Sequence, residues 1–327
     1  MRSVLKWMAL PGAALTLTLA GSMPAQAQPS PEASGNVSSV ARTGTGKAVT
    51  DRATTAAVTD FWTPARMAAA VDLDRDAAVS RKPGLRPSPS GAPGSVAPAA
   101  PRRPFATAAV NQSLTVGKVY VATPGGLGQC SASALNSGKR RLVITAGHCV
   151  HAGAGGGWYW NLIFVPGMRG ASEPAGRFAA FSLTTRTAWI TGSSPDEDMA
   201  IAIMHNGGYS NAKVVDSVGG NGLRWNWGYG VFVTILGYPV VGYPGDTQYY
   251  CQSSTWWTHG QELTAWCGMT EGSSGGPWLQ DYNGSTGLGY VNSVTSHRHG
   301  DARQMYGPYF DDDAKSLFDY AEALSPA

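Results

Sequence analysis

Gly272-Ser273-Ser274-Gly275-Gly276-Pro277 decides how the rest of this chain is read. A serine set among glycines and closed by a proline can be held on a tight turn. There its hydroxyl is exposed, and nearby backbone N–H groups can bind an oxyanion. By itself the run could also be a flexible surface loop. Upstream, however, Thr145-Ala146-Gly147-His148-Cys149 follows directly on the apolar run Leu142-Val143-Ile144, and Asp198-Met199-Ala200-Ile201 lies between the two. The chain thus supplies His, Asp and Ser in that order, each in a setting suited to one part of a triad.

A serine hydroxyl near neutral pH is a poor nucleophile and needs a base to take its proton. A histidine suits that task because its pKa lies near the operating pH. Of six histidines, His148 is the best placed, directly after a strand that reads as buried. His151 sits in a Gly-rich stretch, and His205, His259, His297 and His299 lack a comparable setting. The imidazole must in turn be oriented by a carboxylate. Asp196, Glu197 and Asp198 adjoin one another; Asp198 directly precedes an apolar strand and so enters the fold, whereas Asp196 and Glu197 read as a solvated loop.

These three motifs resemble the chymotrypsin-fold serine peptidases, in particular the secreted bacterial branch that includes the glutamyl endopeptidases. That family carries T-A-A/G-H-C around its histidine, D-[hydrophobic]-A around its aspartate and G-D-S-G-G-P around its serine. The first two match closely; the third matches except at Ser273, where the animal enzymes have an aspartate. The resemblance spans roughly residues 115 to 322. It implies an all-β fold of two packed six-stranded antiparallel barrels, roughly 110–215 and 225–310, with a C-terminal helix over 312–324. It also implies a secreted serine endopeptidase working through an acyl-enzyme on polypeptide substrates, with no cofactor and no metal. Ser274 is then the nucleophile, His148 the base, Asp198 the orienting acid, and the N–H groups of Gly272 and Ser274 the oxyanion hole.

The departure at Ser273 has a consequence. In the animal enzymes that aspartate captures a newly freed N-terminus and switches on the oxyanion hole. Ser273 carries no charge for such a pair, and the sequence has no Ile-Val-Gly-Gly start. Activation is expected to follow propeptide removal without that salt bridge. Trypsin-like enzymes bind Lys or Arg through an acid six residues before the nucleophile; here that residue is Gly268. Glutamyl endopeptidases hold a substrate carboxylate with hydroxyls and a histidine, and Ser293, Thr295, Ser296 and His297 are the candidates, with Met269 as a further pocket residue. Glu271, directly before the turn, would repel an acidic substrate if it faced the pocket. Two other readings stay open, an inactive binding module on the same fold and esterase activity from the same triad. The G-x-S-x-G elbow of α/β-hydrolases is a poorer fit, because too little chain follows Ser274 to carry the remaining elements.

Of the chain's 327 residues, 43% are apolar and 14% charged, which suits a globular protein. The net charge of +3 hides an asymmetry: residues 1–104 carry 12 Lys/Arg against 6 Asp/Glu, and residues 105–327 carry 12 against 15. The mildly acidic second part has no character of a nucleic-acid surface. Residues 1–27 read as a signal peptide, with Arg2 and Lys6, an apolar run from Trp7 to Ala20, and a small-x-small site at Ala25-Gln26-Ala27. Export makes four cysteines legible as a disulfide framework. Three pairings are possible; Cys130–Cys149 with Cys251–Cys267 is favoured because it closes two short loops. In the resembled family a cysteine following the histidine makes this kind of bridge. Metal ligation by Cys149 with His148 and His151 lacks a second ligand pair at zinc spacing.

Residues 28–104 read as a propeptide and Pro-rich linker, largely disordered, that could serve as a transient inhibitor or folding aid. Within it, Thr63 and Pro64 predict a helix over Asp60–Asp76, and seven prolines between 83 and 104 predict an extended linker ending near Arg102-Arg103. Beyond 110, short β-rich runs alternate with Gly and Pro. Strands are predicted at 116–122, 142–146, 161–165, 177–183, 187–191, 199–204, 231–236 and 289–296. Asp311 or Asp312 caps the predicted last helix, whose Leu317, Ala321 and Leu324 share one face.

Overall fold

The computed structural model describes residues 1, 35–73, 90–102, 112–298, 301 and 303–327. The signal segment, its cleavage site, residues 83–89 of the linker, Arg103 and His299 lie outside the described residues.

Six strands form the first barrel: β1 (Val116–Thr123), β2 (Gly126–Leu135), β3 (Leu142–Thr145), β4 (Trp160–Pro166), β5 (Phe178–Arg186) and β6 (Ala200–Met204). They pair antiparallel in the closed order β1–β2–β3–β6–β5–β4–β1. Closure removes the unpaired edges that a short-stranded sheet would otherwise expose. Both faces of β1 and β3 are buried, so their apolar runs do not alternate with polar residues. Small residues let neighbours approach closely: a Cβ on Gly117 would stand 2.3 Å from Val165 O.

The second half contributes β7 (Phe232–Gly237), β8 (Tyr249–Trp257), β9 (Glu262–Trp266), β10 (Pro277–Asn283), β11 (Leu288–Val294) and β12 (Gln304–Pro308). Their order is β12–β9–β8–β7–β10–β11. Just beyond β11, His297–Arg298 pairs back onto β12, Ser296 N donates to Tyr306 O at 2.8 Å, and Ser293 Oγ donates to Pro308 O at 2.8 Å. These bonds complete the second circuit around Val233, Ile235, Leu263, Trp278 and Met305. Bridges join Cys130 to Cys149 and Cys251 to Cys267, the favoured pairing. The helix Asp312–Leu324 is capped by Asp311, which accepts from Asp313 N at 2.8 Å, and buries Ala314, Leu317, Phe318 and Ala321.

Two expectations are corrected. Residues 187–191 are not a strand; Thr187–Gly192 is helical, and this turns Trp189 inward so that its Nε1 donates to His151 O at 3.0 Å. The described parts of 28–104 are not disordered. Asn36–Val40 adds to β5, and Gly94–Val96 pairs with Gly222–Trp225. Of the helix expected over 60–76, Pro64–Ala68 is helical and capped by Thr63, and an unexpected helix, Arg52–Phe61 with an Asp51–Thr54 capping box, precedes it. Between them Trp62 is fully buried, and its Nε1 donates to Asn161 O at 2.6 Å. The composition misleads here because this arm is held by backbone pairing to the barrel and by a few anchors, Val49, Val58, Trp62 and Met67, rather than by a core of its own.

Candidate active site

Strand β3 ends at Thr145, which pairs with Ala200 at the start of β6. That register brings the residues just beyond β3 beside those just before β6. His148 lies on the short 3-10 turn Gly147–Cys149, and Asp198 two residues ahead of β6. Asp198 Oδ2 stands 2.7 Å from His148 Nδ1, and its Oδ1 accepts from His148 N at 2.8 Å. One carboxylate therefore grips both the ring and the backbone of the histidine. With Nδ1 carrying the proton given to Asp198, Nε2 is the basic nitrogen. Gly147 permits this geometry, since a Cβ there would meet Trp189 Cγ at 2.9 Å and Asp198 Oδ1 at 3.0 Å.

A third donor reaches Asp198 from the other barrel: Ser296 Oγ donates to Oδ2 at 2.6 Å. Burial by itself would raise the pKa of this carboxyl. The His148 charge and the hydrogen bonds from His148 and Ser296 overcome that effect and hold it below the usual carboxylate range.

Ser274 sits on the turn leading into β10, and its Oγ is buried with no hydrogen-bond partner among the described residues. The turn is packed onto the end of β3: a Cβ on Gly275 would meet Thr145 Oγ1 at 2.3 Å and Ala146 N at 3.1 Å, two residues before His148. Gly272 has φ +90° and Gly275 φ +79°, conformations that favour glycine. Ser273 N, Gly275 N and Gly276 N donate to the carbonyls of Thr270, Thr295 and Ser273. Among the described residues the N–H groups of Gly272 and Ser274 have no such acceptor, which fits them to receive an oxyanion.

No family model and no curated protein matches the chain. Solved structures do. The thermostable serine protease AL20 from an extremophilic microorganism is 30% identical, with a TM-score of 0.61, over 65% of this chain and 99% of that one. The protease Anisep from Arthrobacter nicotinovorans is 31% identical, with a TM-score of 0.59, over 65% and 97%. A Glu endopeptidase at 17% identity and a TM-score of 0.53, covering 66% and 95%, shares the fold. The chain belongs to the chymotrypsin-fold serine peptidases.

In this serine peptidase the residues expected to form the specificity pocket are mostly committed elsewhere. Ser293 Oγ donates to Pro308 O, Thr295 Oγ1 accepts from Trp278 Nε1 at 3.0 Å, and Ser296 serves Asp198. His297 stacks on Tyr306, with Nδ1 3.0 Å from Ser296 Oγ and Nε2 3.3 Å from Glu262 Oε1. Met269 is buried in the second barrel's core. Glu271 pairs with Arg298, with Oε1 2.7 Å from Nη2. Asp196 and Glu197 are not a solvated loop either. Asp196 Oδ1 accepts from Gln261 N at 2.7 Å, and Glu197 is ion-paired with Arg186 at 2.9 Å. Cys130, His148 and Cys149 lie close enough together to suggest a metal cluster, but the two sulfurs are bonded to each other and cannot act as thiolate ligands.

Ser131 has a role that the sequence did not signal. On β2, its N–H donates to Ser274 O at 2.8 Å, its Oγ donates to Gly272 O at 2.9 Å, and the same Oγ accepts from Tyr238 N at 2.9 Å. Together with Ser273 Oγ, which donates to Thr270 O at 2.6 Å, it holds the turn where the animal enzymes use an ion pair. Nothing about a serine within Cys130-Ser131-Ala132 distinguishes it from its neighbours until the barrels meet.

Proposed function

We propose that this peptidase is a secreted endopeptidase that cleaves polypeptides through a Ser274 acyl-enzyme. Ser274 Oγ attacks the scissile carbonyl as His148 Nε2 takes its proton. The N–H groups of Gly272 and Ser274 receive the developing oxyanion. His148 then passes the proton to the leaving amine, and a water molecule, activated by the same nitrogen, releases the acyl group. Asp198 keeps His148 in one tautomer and stabilises the imidazolium that forms. The observation that carries this reading is the double grip of Asp198 on His148, with the Ser274 turn packed against the strand that leads to that histidine.

Export rests on the signal-like residues 1–27 and agrees with two disulfides. Among the described residues no helix is long and apolar enough to cross a membrane. Processing is proposed near Arg102-Arg103. Lys or Arg selection by an acid at position 268 is excluded by Gly268.

The test is labelling with a serine-directed fluorophosphonate, alongside turnover of a peptide substrate. The wild type takes the label at Ser274. Ser274→Ala loses both label and turnover, by several orders of magnitude, while keeping its fold. Normal proteolysis by Ser274→Ala would sink the assignment, and an unlabelled, inactive wild type would favour a binding module.

A further inference from the structure

A cavity of about 680 Å³ lies between the N-terminal arm and the barrels, beside the nucleophile turn. One wall is the arm, with Met67, Ala70, Val71 and Asp72; the facing wall includes Lys118, Gln129 and Val240. Both barrel residues nearest the turn are tied to it. Gln129 stands two residues before Ser131, which binds the carbonyls of Ser274 and Gly272. Val240 N donates to Glu271 O at 2.8 Å, and Val240 Cγ1 lies 3.0 Å from where a Cβ on Gly272 would stand.

The side of the cleft follows from the chemistry. The leaving amine departs toward His148, which hands it a proton. Cys149, next to His148, is bonded to Cys130, next to Gln129. The bridge thus ties the histidine to the strand whose Gln129 lines the cavity. The acyl part lies toward the segment after β11, where Thr295 O accepts from Gly275 N and Ser296 reaches Asp198.

The arm is built into this wall. Val71 and Asp72 pair in parallel with Gly128 and Gln129, and Leu73 N donates to Gln129 O at 3.3 Å. Four charged side chains line the cavity: Lys118, Asp72, Glu173 and Asp246. Glu173 is clamped by Arg177 at 2.6 and 2.7 Å. Lys118 Nζ donates to Gly245 O at 2.7 Å, and Asp246 acts on it electrostatically. Among the described residues Asp72 is the acid on the arm wall with neither commitment, and the charged side chains of the lining carry an excess of two negative charges.

We propose that this cavity is the subsite for a residue on the leaving-group side of the scissile bond, taking a long side chain with an apolar stem and a cationic head, Lys or Arg. The stem lies along Met67 and Val240, and the head faces Asp72. The arm, residues 64–73 included, is then a specificity element that stays with the active enzyme after the proposed cut near Arg102-Arg103, held by its pairing with Gly128 and Gln129. This inference rests on the Ser274 acyl-enzyme reading.

The experiment uses the secreted protein and internally quenched peptides that differ only in the first three positions after the cut. A small ester whose leaving group contains no amino acid serves as the reference for the chemistry at Ser274. At one of the three positions Lys and Arg are expected to exceed Glu by about tenfold in kcat/KM, since attraction and repulsion each contribute a few-fold. Asp72→Asn shrinks that Lys-over-Glu ratio, and Asp72→Lys inverts it. Because the ratio is read within one enzyme preparation, a partly destabilised variant still reports. No charge preference at any position, or a ratio indifferent to both variants while the ester is turned over, overturns the subsite. So does an active enzyme that lacks residues 64–73 and keeps the preference. So does a Leu73→Gly variant that cleaves every peptide faster, because the arm would then be blocking the cleft. A wild type that fails on the ester as well counts against the acyl-enzyme reading itself.

Discussion

Replacing Ser131 by alanine tests how the oxyanion turn is held. Ser131 is fully buried, and its single hydroxyl serves two main-chain groups, Gly272 O and Tyr238 N, each at 2.9 Å. Alanine leaves one carbonyl and one N–H buried without that partner. Each such loss costs about 1–3 kcal/mol, so a stability decrease of about 2–6 kcal/mol is expected. The kinetic effect comes from Gly272, whose φ of +90° aims one of the two proposed oxyanion donors. A turn that slackens forfeits part of one donor, whose full loss costs roughly 3 kcal/mol, so kcat should fall about 10- to 100-fold with KM little changed. The assay pairs urea unfolding, followed by tryptophan fluorescence, with kcat on one peptide and one ester. Lower stability with unchanged kcat would show that the hydroxyl ties the sheets together without shaping the turn. No change in either would refute the reasoning altogether.

Trp62→Ala should destabilise the whole protein by about 3–5 kcal/mol, since it removes a fully buried indole of the arm; an unchanged melting temperature would mean that the arm is not part of the cooperative unit. Asp198 has a folded-state pKa below its unfolded value, so its contribution is fully present above about pH 3.9 and is lost as pH falls through the lower folded pKa. The stability advantage of wild type over Asp198→Asn should therefore shrink under acid below about pH 4; an advantage that grows under acid contradicts this. Acetylating the mature α-amine should leave turnover unchanged, because Ser273 Oγ is bonded to Thr270 O and offers no charge to an ammonium; abolished activity with Ser274 still accessible to label would show that a charged N-terminus is required.

The candidate triad was readable because each of its members is embedded in its own local pattern. His148 follows an apolar strand, Asp198 precedes one, and Ser274 sits among glycines that a positive φ requires. The barrels were partly readable for the same reason. Strands β1, β3, β4 and β6 are rich in aliphatic or aromatic residues, whereas β2, Gly126–Leu135, is built mainly of Gly, Ser and Ala and carries no such signal. It is a strand because β1, β3 and the arm's Val71–Asp72 all pair with it, and its small side chains suit that crowding. The helix Thr187–Gly192 was misread because β-rich local composition cannot reveal that Trp189 must turn back over His151. The arm was misread because its stability is borrowed from β5 and from the pocket that receives Trp62.

By itself the sequence pointed to the family, to the order of the candidate triad and to a favoured one of three cysteine pairings, because these depend on short motifs and on closing short loops. Only the tertiary structure showed that Ser296 donates to Asp198, that Ser131 bonds to the Gly272 carbonyl on the Ser274 turn, and that Val71 and Asp72 pair with the first barrel. Each of those contacts joins positions about sixty to one hundred and forty residues apart. No local pattern records such a contact, since it exists only once two closed barrels set their strand ends against each other.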